Sequence, residues 1–159
     1  MKIKGQLIDL TLSIIVGLVI SYIPIICSEK LAFITILSII PIYIISRKSP
    51  SIGLISYILT FLLIAISNQT EGIRFLFING LLGLFLGMFS YYIRKKVLMS
   101  LLMGGILYIS INGMCNIVNI NTINDFCLNT LMIQFIAILL CVLYSLITLI
   151  ICDYLYKKI

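Results

Sequence analysis

The chain has 159 residues, is 62% hydrophobic and 10% charged, contains no histidine and carries a formal net charge of +6. Its mean hydropathy of +1.26 lies far from the balance of a soluble domain and marks an integral membrane protein. Six spans of about 20 residues would use about 120, which leaves no room for a separate soluble domain. The basic residues fall in pairs and triplets at the ends of apolar runs rather than along one face, which argues for membrane topology and against a nucleic-acid partner.

The predicted fold is all-α: one transmembrane domain over residues 1–159, with spans at about 7–27, 31–46, 52–67, 75–93, 97–118 and 126–152. Lys2 and Lys4 precede the first span, but no small-x-small cleavage site follows it, so it is expected to remain as a helix. Asp9, Ser13, Gly17 and Ser21 recur every four residues along it and give a small, weakly polar face against which another helix should pack. After an external turn at Glu29 and Lys30, the short second span carries Pro41, which predicts a kink. A basic turn, Ser46-Arg47-Lys48-Ser49-Pro50-Ser51, leads into the third span, where Gly53, Ser56 and Thr60 form a modest small-residue face.

Asn68 to Arg74 is predicted as an external loop, followed by the most informative span. Arg74 to Arg94 is twenty steps, about 30 Å as a helix and the thickness of a hydrocarbon core. At 100° per residue Asn79, Gly80, Gly83, Gly87 and Ser90 share one sector, expected to face protein, with the Leu and Phe residues turned to lipid. The fifth span places Ser100, Gly104, Tyr108, Asn112 and Asn116 at successive fourth positions, and the sixth aligns Gln134, Cys141, Ser145, Thr148 and Cys152. Between them, residues 119–125 contain Asn and Asp but no Lys or Arg, as suits an external loop.

Sorted by side, nine basic residues (Lys2, Lys4, Arg47, Lys48, Arg94, Lys95, Lys96, Lys157, Lys158) fall inside against two outside (Lys30, Arg74). The excess predicts both termini in the cytoplasm and a multi-pass protein of the cell's inner membrane. The five cysteines show no CxxC spacing, and without histidine neither a metal site nor a cofactor is expected. No nucleophile has a base near it and no Asp or Glu lies near the middle of a span, so an enzyme is not expected either.

Asn79, Asn112 and Gln134 each lie five to seven residues inside the outer end of their predicted spans, about 7 to 11 Å below the surface. A carboxamide facing lipid would leave several hydrogen-bonding groups unpaired, so these three should turn inward, to each other, to water or to a ligand. Tyr108, Asn116, Asn129, Glu71 and Arg74 could complete an outward-open site for a small polar molecule.

These features together resemble the substrate-binding S components of bacterial energy-coupling-factor importers. Three passages carry the resemblance. Ser13-x3-Gly17-x3-Ser21 is similar to the small-residue stretch of their first helix, with Ser and Gly where alanine is usual. Ile40-Pro41-Ile42 through Ser51-Ile52-Gly53 resembles their passage between spans 2 and 3, and the amide layer lies where they bind a vitamin. The resemblance implies a ligand-capturing subunit without its own ATPase, docked through Ser13, Gly17 and Ser21 on a transmembrane coupling subunit that acts with ATP-hydrolysing partners. A weaker resemblance, in the basic turn and the glycine-rich fourth span, is to the MreD family of rod-shape-determining scaffolds. It implies a noncatalytic role in cell-shape or cell-wall synthesis, although Ile64-Ala65-Ile66-Ser67-Asn68 lacks the acidic residue usual there.

Overall fold

In a computed structural model, the backbone is described for residues 2–27, 35–93, 95–118 and 131–158, and side chains for 7–23, 35–93, 95–115 and 132–158. The predicted turn at Glu29 and Lys30, the first residues of the second and sixth spans, the loop 119–125, Arg94, Asn129 and the side chain of Asn116 lie outside the described residues. The described elements are all helical: α1 (Lys2–Cys27), α2 (Ile39–Lys48), α3 (Pro50–Ser67), α4 (Gln69–Tyr92), α5 (Lys96–Val118) and α6 (Leu131–Lys158). α3, α4, α5 and α6 are each long and apolar enough to cross a membrane. Contacts divide the chain into two compact units, Met1–Arg94 and Lys95–Ile159.

In the first unit the helices meet through small residues, as expected where lipid supplies no hydrophobic drive and close backbone approach decides. Ser13, Gly17 and Ser21 are buried, and the α1 stripe lies along α3: Ser13 Oγ is 3.1 Å from Ser56 Oγ, a Cβ on Gly17 would lie 3.3 Å from Thr60 Cγ2, and Tyr22 hydrogen-bonds Ser67. The constant offset of these pairs makes α1 and α3 parallel. α2 and α4 are also parallel, since Gly83 meets Ile39 and Ile42 while Gly87 meets Tyr43 and Ser46. Ser46 is the tightest point: it is fully buried between Gly53 of α3, where a Cβ would come within 2.6 Å of Ser46 Cα, and Gly87 of α4.

The sector Asn79, Gly80, Gly83 and Gly87 is buried and faces protein, with Ser90 half-buried at its end. Its opposite side departs from expectation, because Leu82, Leu84 and Leu86 are buried too. Leu84 packs with Ile42, Ile64 and Phe75, against Leu18, Tyr57, Phe61 and Met88. α4 contacts both α2 and α3, so these leucines pack against protein rather than lipid.

Three local expectations are corrected. Asn68 to Arg74 is not a loop: Asn68 Oδ1 accepts the backbone N–H groups of Thr70 (3.0 Å) and Glu71 (3.3 Å) and starts α4 at Gln69. Pro41 does not kink the middle of a helix, because α2 begins at Ile39 and Pro41 falls in its first turn. Without an N–H it cannot bond the Leu37 carbonyl, and residues 35–38 wind as a tighter 3-10 turn. The predicted basic turn shrinks to Ser49 alone, since Arg47 and Lys48 close α2 and Pro50 is the first residue of α3.

The second unit is an antiparallel pair of long helices. Ser145 Oγ donates to the Ser100 carbonyl (2.8 Å), and a Cβ on Gly104 would lie 2.8 Å from Val142 Cα, so the predicted small stripes of α5 and α6 are the seam. Ser145, Thr148 and Cys152 are buried and Cys141 is half-buried along α6.

Candidate functional site

Within the first unit the functional candidates cluster on the N-terminal half of α4. Glu71 and Arg74, one turn apart, form an ion pair of 2.8 Å near the helix start. Immediately after it the α-helix gives way to a π-turn, Phe75–Asn79, in which the Gly80 N–H bonds the Phe75 carbonyl five residues back. When bonding returns to the α pattern one carbonyl is passed over, and here that is Leu76. The Tyr57 hydroxyl, from α3, donates to it at 2.8 Å. The Tyr57 ring stacks on Phe75 with centroids 6.2 Å apart and occupies the space a side chain at position 80 would need, 2.7 Å from a Cβ there.

The π-turn has a geometric cause. Gly72 meets the backbone of Ala65 and Gly80 meets Tyr57, both on α3. In an uninterrupted α-helix, positions eight apart differ by about 80°. The extra residue of a π-turn removes a step of about 100° and brings them to within about 20°, onto one face. Asn79 closes this turn at 8% exposure, and its carboxamide has no hydrogen-bond partner among the described residues. The sealed side-chain polar atoms without a partner are the Ser21 and Ser46 hydroxyls, so the Asn79 amide keeps access to the outside of the fold.

In the second unit the register places two further candidates. Lys96 lies against Asp153, Ser100 against Ser145 and Gly104 against Val142. Continued two turns further from the Lys96–Asp153 end, the same register brings Asn112 level with Gln134. Both are half-buried, as is Tyr108, and neither amide has a hydrogen-bond partner among the described residues. Asn129 and the Asn116 side chain are outside the described residues.

Several hydroxyl groups, by contrast, join helices, while Thr11, Thr60 and Thr148 bond carbonyls of their own helix. Ser13 pairs with Ser56, Tyr22 with Ser67, Tyr43 with Ser90 (3.1 Å), Tyr57 with the Leu76 carbonyl and Ser145 with the Ser100 carbonyl. At the other end of the first unit Arg47 donates to the buried Tyr43 hydroxyl (2.8 Å) and lies 5.8 Å from the centre of its ring. Beside it Lys48 pairs with Asp9 (3.0 Å) in a shallow cleft with Ile45, Ser49 and Ile52. In the second unit Lys96 pairs with Asp153 (2.6 Å).

Sequence reasoning missed Tyr57, the Tyr43–Arg47–Ser90 network and both lysine–aspartate pairs. It also missed the Asn68 cap, which did carry a local signal, an Asn three residues before Glu71. The Ser13, Gly17 and Ser21 face, expected to dock a partner subunit, is occupied by α3 of the same unit. Compared with protein-family models, curated proteins and solved structures, the chain finds no match in any of the three.

Proposed function

We propose that the chain spans a bacterial cytoplasmic membrane six times with both termini inside, and captures a small polar solute from the outside. In this reading it is the substrate-binding subunit of an energy-coupling-factor importer, and separate subunits supply ATP hydrolysis and membrane coupling. One observation carries the reading: five hydroxyl contacts join helices, whereas none of the amides of Asn79, Asn112 and Gln134 has a partner among the described residues. Amides that served only to bind helices together would bond their neighbours, because an unsatisfied carboxamide in a bilayer is costly. A solute or water that enters from outside would satisfy them.

A second reading, a noncatalytic scaffold of the MreD type, is favoured by the burial of the Ser13–Gly17–Ser21 stripe against α3, which occupies the face an importer's coupling subunit would use. The two are separated by isolating the tagged chain from its native membrane in mild detergent and identifying co-purifying proteins and small molecules by mass spectrometry. Two ATP-binding subunits, a coupling membrane protein and a retained metabolite are expected. Cell-wall synthesis proteins without an ATPase would overturn the importer reading.

A further inference from the structure

We propose that the π-turn Phe75–Asn79 is the positioning element of the solute site and that Tyr57 is its latch, a positioning residue that keeps the Asn79 carboxamide unpaired and open. This rests on the solute-capture reading and adds to it a residue that composition and periodicity did not single out. Three contacts, all made by Tyr57 of α3, converge on the turn: its hydroxyl on the Leu76 carbonyl at 2.8 Å, its ring against Phe75, and the same ring in the space beside Gly80. A π-turn gives up α-helical bonding and persists only where its surroundings require it. Without the Tyr57 hydroxyl the Leu76 carbonyl would be left unpaired, and bonding it within the helix means winding the turn back toward the α pattern. That rewinding rotates Asn79 relative to Gly72 and the helix start by about 100°. Asn79, the last residue of the turn and more than nine-tenths buried, therefore has its direction set by a bond made three residues earlier from a different helix.

The test uses the full chain in lipid nanodiscs, with the five native cysteines replaced by alanine. Single cysteines are placed at 79 (Asn79→Cys) or, as a reference, at 134 (Gln134→Cys), and the probe is a membrane-impermeant maleimide. The thiol at 79 is expected to label in the Tyr57 chain and to label about fivefold more slowly with Tyr57→Phe, the weight of one hydrogen bond. The rate at 134 should not change. Deletion of Ile78 removes the extra residue while keeping Gly72, Asn79 and Gly80 at the same phase relative to α3, so by itself it should leave labelling at 79 and the melting temperature unchanged and, combined with Tyr57→Phe, restore the rate that Tyr57→Phe alone loses. If Tyr57→Phe alone does not yield folded protein, the chain carrying both Tyr57→Phe and the deletion should fold and label at 79 at the rate of the Tyr57 chain, and its failure to do so would overturn the latch. Equal rates at 79 with and without the Tyr57 hydroxyl in the undeleted chain would overturn the latch and leave the solute-capture reading standing. Labelling at 134 with none at 79 would overturn the latch and remove Asn79 from the site. An inert thiol at both positions would overturn the latch together with the capture reading.

Discussion

Gly87 and Gly105 are both helical glycines in apolar surroundings, and they differ in what a methyl group would meet. At Gly87 a Cβ would lie 2.7 Å from the Tyr43 carbonyl oxygen and 3.1 Å from the Arg47 nitrogen, backbone atoms that cannot step aside. Gly87→Ala is therefore expected to lower stability by about 1–3 kcal/mol in thermal unfolding of the detergent-solubilised chain, the cost of overpacking. Gly105 has nothing within 4 Å, and Gly105→Ala should change stability by less than about 0.5 kcal/mol. The amides make the reverse case. Asn112→Leu removes a group with no partner among the described residues, so the melting temperature should hold or rise while solute retention falls. A lower melting temperature with unchanged retention would show that Asn112 holds helices together. The stripes were legible because small residues at every fourth position are unusual in an apolar run. Tyr57 was not, because nothing local separates a tyrosine that donates to a distant helix from one that packs.

Among the elements, α4 shows where periodicity fails. Its sector from Asn79 to Gly87 was legible because those residues follow one uninterrupted α-register. Asn68 to Arg74 reads as a loop because its polarity masks a helix start, and the residue inserted in the π-turn that follows shifts the phase that a 100° step assumes. Asn68→Ala is expected to cost about 1 kcal/mol, since its Oδ1 accepts two of the unpaired N–H groups at the start of α4. The burial of Leu82, Leu84 and Leu86 was hidden for another reason: apolar side chains suit lipid and protein equally, and composition cannot tell a central helix from a peripheral one. The two lysine–aspartate pairs separate on the same ground. Asp9 is about half-exposed and Asp153 about one-tenth, so Lys48→Ala should cost less than about 1 kcal/mol while Lys96→Ala costs about 1–3 kcal/mol, both read by thermal unfolding.

For the whole molecule the proposed topology has consequences at both ends of each unit. In the first unit α1 and α3 run one way and α2 and α4 the other, and Asp9, Arg47 and Lys48 collect at one end. In the second, Lys96, Asp153, Lys157 and Lys158 collect at one end of the α5/α6 pair. Each end holds basic residues beyond those its carboxylate occupies, and it is the excess of Lys and Arg that retains a loop in the cytoplasm. A fluorescent protein fused after Ile159 is therefore expected to be bright. Alkaline phosphatase, active only outside, should be active when inserted within 119–125 and inactive when inserted after Ser49. Activity after Ser49 would place the Arg47–Lys48 end outside and invert the first unit. A dark C-terminal fusion with a silent 119–125 insertion would invert the second, leaving Asn112 and Gln134 nearer the cytoplasm than the exterior. In that case a solute captured from outside could not reach them from the side the capture reading requires, whatever their hydrogen bonding.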